Sequence, residues 1–299
     1  MHHIILDTDM GNDVDDALAM AVLHSLQTRG QCNLAAVILS RAGHDAAAMC
    51  AAVNQFYGRG QIPVGVMRVG MESQTNRFLP VAEQWPHHYD PATAPDAVDL
   101  LRQTLQGLPD QSVTIVHIGF ATNMAVMLAN PDDVALLTRK VRCLSLMAGA
   151  FLPIDGDARF KEFNVICDIP AMQALAVHWP TPVVWGGFEI GWALRYPRIS
   201  IAQDFGYVAR HIIVEAYNAY CAPAEERPCW DLATALYAVC PERGYFGLSR
   251  PGRVVVDAEG VTTFVVDPAG NQRYLTMDAV QQARVLEALV QLTSQPAHV

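Results

Sequence analysis

Short apolar runs alternate with helix-spaced segments along most of this chain, and that alternation constrains its fold more than any other feature. The runs at residues 3–6, 34–39, 62–66, 113–118, 143–147 and 182–185 show no clear in-out alternation. Such runs suit parallel strands buried on both faces. Helical spacing falls at residues 15–27, 45–57, 95–105, 121–128, 170–178, 205–220, 232–239 and 278–292. The pattern predicts an α/β protein with an open, mostly parallel Rossmann-like sheet flanked by helices. Residues 253–257 and 261–267 flank Ala258-Glu259-Gly260 and read as a small C-terminal β-hairpin. With no linker-like stretch, residues 1–299 read as a single domain. The irregular, polar residues 71–94 read as an active-site loop.

Apolar residues make up 52% and charged residues 17%, which excludes a disordered chain. The formal net charge is −10 and Lys140 and Lys161 are the only lysines, so no basic stripe exists to neutralise a phosphate backbone. This argues against a nucleic-acid partner. No apolar run reaches the roughly 18–20 residues of a membrane span, and the N-terminus lacks a signal-peptide pattern. The seven cysteines are scattered without a CxxC, which speaks for a reducing, cytoplasmic setting and against a disulfide frame.

The sharpest local feature is Asp7-Thr8-Asp9-Met10-Gly11-Asn12-Asp13-Val14-Asp15-Asp16, five carboxylates where the first strand gives way to a helix. In open α/β sheets, ligands bind beyond the carboxyl ends of the strands. One helix N-terminus stabilises one or two acids, not five. A hard divalent cation such as Ca²⁺, which takes oxygen ligands, relieves the repulsion.

These residues resemble the N-terminal signature of the inosine–uridine-preferring nucleoside hydrolases. Three later segments resemble that family in order: Gly119-Phe120-Ala121-Thr122-Asn123 after a strand, Glu162-Phe163-Asn164 with Asp168, and Trp230-Asp231. The resemblance implies an enzyme that hydrolyses the N-glycosidic bond of a small-molecule ribonucleoside, working as a homodimer or homotetramer. It implies Ca²⁺ held by Asp9, Asp16, Asp231 and the carbonyl of Ile118, with Asp9 as the catalytic base. It places Asp15, Asn164 and Glu162 on the ribose.

Several positions depart from the family pattern. Five residues rather than three separate Asp9 from Asp15-Asp16, and Asp13 competes with Asp15 for the ribose role. His44 stands where an Asn commonly reaches the ribose, and reads as a substrate contact. Trp230 replaces the His that assists base departure in the inosine–uridine branch, and resembles the purine-preferring branch. There, an indole face holds the flat base and favours its protonation. Trp85, Phe78, Tyr89 and Trp192 are candidates for a second stacking ring; His87 and His88 are candidate proton donors and Glu189 a candidate pocket residue. Two other readings compete: a non-catalytic nucleoside- or ribose-binding relative, and a haloacid-dehalogenase-like phosphatase. Against the phosphatase, Gly11 stands where a Thr or Val is common, and a lysine for the phosphoryl group is hard to find.

Overall fold

The computed structural model describes residues 2–68, 70 and 76–297. Ten strands form one sheet: β1 (His3–Thr8), β2 (Asn33–Ala42), β3 (Val64–Met67), β4 (Val113–His117), β5 (Val141–Met147), β6 (Val183–Gly186), β7 (Gly247–Leu248), β8 (Gly252–Val256), β9 (Thr262–Val266) and β10 (Gln272–Thr276). The strand order is β3-β2-β1-β4-β5-β6-β10-β8-β9, with β7 paired to β10. Every pairing from β3 through β10 is parallel, and those of β7, β8 and β9 are antiparallel.

Both sheet faces are covered, because successive strand residues feed opposite cores. Ile4 and Leu6 enter one core with α1 (Asp15–Thr28) and α2 (His44–Phe56), whereas Ile5 enters the other with α3 (Ala97–Gly107), α4 (Thr122–Leu128) and α5 (Pro131–Lys140). The α6 (Phe163–Cys167) and α7 (Ile169–His178) segments follow β5, and α8 (Phe188–Ala193) and α9 (Arg198–Gln203) follow β6. The first core also takes in α10 (Ile212–Tyr220), α11 (Trp230–Val239) and α12 (Ala279–Thr293). Burial on both faces explains why the parallel strands read as unbroken apolar runs. Among the described residues no helix is long and apolar enough to cross a membrane, and all seven cysteines are unpaired.

The sequence expectation holds for the sheet and needs correction in places. The hairpin is present as β8 and β9 but joins the main sheet through β10, a strand the pattern did not reveal. The helix expected over residues 205–220 starts only at Ile212, where the His211 ring accepts the Ile213 N–H at 3.2 Å and caps the first turn. Helices α5, α6, α8 and α9 were not expected. For α5 the signal was present: Asn130 caps it, Pro131 opens it and Asp132-Asp133 fill its first turn. The others have six residues or fewer, too short for a periodic pattern.

From β1 the chain steps outward to β2 and β3, then returns to β4 and proceeds the other way. The reversal lies between β1 and β4, and the crevice outside their carboxyl ends is where such sheets bind ligands.

Candidate active site

A cavity of about 290 Å³ opens at this reversal, lined by Asp9, Asp15, Asp16, Ile118, Glu162, Asn164, Trp230 and Asp231 among others. Eight of the nine sequence-predicted site residues therefore meet in one place. His44 does not. It is exposed and its Nδ1 pairs with the Tyr89 hydroxyl at 2.5 Å, outside the cavity lining.

The acids come from two helix starts and one strand end. Asp15 and Asp16 occupy the first turn of α1, and Asp231 occupies the first turn of α11. Oxygens of Asp15, Asp16 and Asp231 lie within 4.8 Å of one another, a set that could hold a metal ion. The Asp231 N–H donates to Asp15 Oδ2 at 3.1 Å, and the Thr8 hydroxyl donates to Asp16 Oδ1. Asp9, just past β1, is 4% exposed and accepts from Asn12 Nδ2 at 2.6 Å. Burial, followed by mutual repulsion, raises the pKa of Asp15, Asp16 and Asp231 well above the ordinary carboxylate value. Burial pushes Asp9 up to about 6, against the opposing pull of Asn12. Such a set of hard oxygen donors suits a hard divalent cation.

Asp13 has a different partner. Arg227 donates from Nε to both of its oxygens at 2.9 and 3.0 Å, and from Nη2 as well. Asp13 is thus held by Arg227, whereas Asp15 is buried beside Asp231.

The quoted motifs acquire physical reasons. A Cβ on Gly119 would stand 2.6 Å from the Asp9 backbone nitrogen, so only glycine permits this approach. Thr122 donates to Asp168 Oδ2 at 2.6 Å, tying α4 to the start of α7. Asn123, 1% exposed, donates to the buried Asp7 and to the Leu39 carbonyl at 2.9 Å, bracing β1 against β2 beneath the site. The Ile118 N–H donates to the Asp7 carbonyl at 2.8 Å, which fixes the Ile118 peptide at the cavity wall.

Glu162 caps α6 through the N–H groups of Asn164 and Val165 and also accepts from Gly149 at 3.0 Å. Burial nonetheless outweighs these bonds and pushes its pKa up to about 7. Asn164 Nδ2 donates to the carbonyls of Met147 at 3.1 Å and Ile118 at 3.4 Å.

Trp230 donates its Nε1–H to the Phe188 carbonyl at 2.9 Å, so that N–H is already engaged. Its ring neighbours are Phe188 at 5.0 Å and Trp192 at 6.3 Å between centroids. Of the second-ring candidates, Trp192 thus packs beside Trp230, while the others are engaged elsewhere. Trp85 donates to Glu215 at 2.9 Å, Phe78 packs on Tyr220, and Tyr89 pairs with His44. Neither His87, His88 nor Glu189 is among the lining residues, and Glu189 instead accepts from the Phe151 N–H at 3.2 Å. Part of the expected active-site loop, residues 71–75, lies outside the described residues.

Asn12, Tyr220 and Arg227 also line the cavity, and sequence reasoning missed them. The available signal was the loop at residues 225–228, which places Arg227 three positions before Trp230.

The sequence model of the inosine-uridine preferring nucleoside hydrolases matches residues 4–290. The chain belongs to that family. This nucleoside hydrolase is similar in fold to a plant nucleoside hydrolase, with 21% identity, 99% of each chain covered and a TM-score of 0.76. It is likewise similar to a purine-preferring ribonucleoside hydrolase from Gardnerella vaginalis, with 19% identity, 98% of each chain covered and a TM-score of 0.77. An inosine-uridine preferring nucleoside hydrolase from Bacillus anthracis has 14% identity and a TM-score of 0.74, covering 98% of this chain and 99% of its own. Comparison with curated protein sequences gives no match. As a member of this family the chain is an enzyme, and ribonucleoside hydrolysis is the activity its family and fold support.

Proposed function

We propose that this nucleoside hydrolase is a Ca²⁺-dependent enzyme that releases free base and ribose from ribonucleosides, with purines preferred. The observation that carries this reading is the convergence of four buried aspartates, Asp9, Asp15, Asp16 and Asp231, and of Trp230 on one cavity. Four acids held this close need a compensating charge at neutral pH, and an all-oxygen donor set suits calcium.

Asp16 and Asp231 would hold the cation, with Asp9 and the Ile118 carbonyl completing the set. Held there, Ca²⁺ supplies the charge that orients the ribose diol and the attacking water. Asp15, whose Oδ2 is fixed by the Asp231 N–H, takes a ribose hydroxyl, and the Asn164 Oδ1 accepts from the same diol. Asn12 holds Asp9 Oδ2, which leaves Oδ1 to take the proton of the water. As the C1′–N bond stretches toward an oxocarbenium-like state, the buried acids around the sugar stabilise the positive charge. Trp230 lies against the departing base.

The test is release of free base from inosine, guanosine, adenosine, uridine and cytidine, with chelator and with Ca²⁺ restored. Release that requires Ca²⁺ and favours purines is expected. Activity untouched by chelator would overturn the metal reading. Tight ribose binding without any release would favour a non-catalytic relative.

A further inference from the structure

Among the described residues Arg227 is the only cationic side chain in the cavity lining. It enters from the loop between α10 and α11. Its guanidinium carbon lies 5.6 Å from the centre of the Trp230 ring and 5.2 Å from that of Tyr220. Its orientation is set by two acids. Asp13 takes the Nε–Nη2 side, and Glu225 Oε1 accepts from Nη1 at 3.1 Å. Among the described residues the only other hydrogen-bond partner of the guanidinium is the Tyr220 hydroxyl, 3.5 Å from Nη2. A guanidinium carries five N–H donors in a rigid fork. Three are firmly engaged, so Nη1 and Nη2 each keep a donor that is unused or weakly held. The acid that pins this fork, Asp13, sits in the stretch that is two residues longer than the family spacing.

We propose that Arg227 is a specificity-determining residue that reads the leaving base and selects 6-oxopurine ribonucleosides, inosine and guanosine, over adenosine. The inference rests on the nucleoside hydrolase reading above and names the substrate class of that site. The guanidinium lies over the Trp230 ring, so a purine packed against the part of that ring it leaves open turns an edge toward it. Hypoxanthine and guanine present two adjacent acceptors there, N7 and O6, which match two parallel N–H donors. Adenine presents N7 beside an amino group, so one donor of the fork meets another donor. Uracil has no such pair of adjacent acceptors. Because the Trp230 N–H is taken by the Phe188 carbonyl, discrimination along the base edge falls to Arg227 rather than to the indole.

The experiment compares kcat/KM for inosine, guanosine and adenosine in the Ca²⁺-loaded wild type, R227K and R227Q. A bidentate pair of this kind discriminates by about tenfold to a hundredfold. The wild type should favour inosine and guanosine over adenosine by at least about tenfold, and both variants should shrink that ratio to within about threefold. R227K keeps the charge and loses the fork, so its ratio should fall as far as that of R227Q. Equal rates on inosine and adenosine in the wild type would overturn the proposal, as would a ratio that survives in R227Q. The wild-type ranking stands even if a variant fails to fold. If no nucleoside is hydrolysed, the hydrolase reading fails by itself. Quenching of tryptophan fluorescence by hypoxanthine and by adenine then decides the base preference: tighter binding of hypoxanthine supports it, and equal affinity overturns it.

Discussion

The backbone N–H of Asp231 donates to Asp15 Oδ2 across 3.1 Å, joining the first turns of two helices whose residues are 216 positions apart. The α11 start thus offers partial positive charge to the Asp15 carboxylate. The bond does not by itself balance the charges gathered there, because burial still raises both carboxylates well above their ordinary pKa.

Replacing Asp9 by Asn keeps the Asn12 contact region but removes the proton acceptor. General-base catalysis contributes about 10²–10⁴-fold, so D9N should lose at least about 10²-fold in kcat. Steady-state release of hypoxanthine from inosine measures this. Retention of more than about a tenth of wild-type activity would exclude Asp9 as the base.

Removal of the cation should make stability fall as pH rises. Glu162 is raised from 4.5 to about 7, and Asp9 from 3.8 to about 6, both chiefly by burial. The folded state therefore binds these protons more tightly than the unfolded chain. Their stabilisation is complete below about pH 4 and is lost progressively as pH rises through 6 and 7. Chelated protein should melt at a lower temperature at pH 8 than at pH 5, and added Ca²⁺ should raise the midpoint more at pH 8. A midpoint that rises with pH in chelator would contradict the burial argument.

Ligand occupancy can be separated from proton transfer by titration. D16N and D231N should weaken Ca²⁺ binding by at least about tenfold, since each removes a negative ligand from the set. D13N should weaken it less, because Asp13 is neutralised by Arg227. Isothermal titration with Ca²⁺ reads the order directly, and an Asp13 effect equal to that of Asp231 would place Asp13 in the metal set.

Loss of the ring at Trp230 should fall unevenly on the substrates. Base–aromatic stacking is worth about 1–3 kcal/mol, so W230A should cut kcat/KM on purines by about tenfold or more. W230F should recover part of it, and uridine should suffer less. Equal losses on inosine and uridine would remove stacking as the cause.

Gly191 offers an independent test of the same ring. A Cβ there would collide with the Trp230 backbone and indole. G191A should therefore raise KM for purines with little effect on Ca²⁺ affinity. An unchanged KM would show that the ring position is uncritical.

Much of this was legible in the sequence because it is local. The apolar runs announce β1 through β6, and the acids cluster within ten residues of β1. The segments that converge on the cavity also carry recognisable motifs. What was hidden depends on distant pairing. Nothing near Asp13 indicates that Arg227, 214 positions away, will engage it. His44 was misplaced because a loop position in a family pattern does not fix a side chain's direction, and here the ring turns to Tyr89. Strand β10 was missed because it is only partly buried and follows a hairpin, so it lacks the apolar run of its parallel neighbours.

The order in which these parts appear also governs when chemistry becomes possible. A nascent chain makes Asp15 and Asp16 before Asp231, which appears only after most of the sheet strands have been synthesised. A product that stops short of α11 carries the paired acids of α1 without the third carboxylate and without the Trp230 ring. If the proposed roles of Asp231 and Trp230 hold, interrupted synthesis or proteolytic clipping before that helix leaves an inert remnant rather than a weakened hydrolase, and activity then reports on chains completed at least as far as α11.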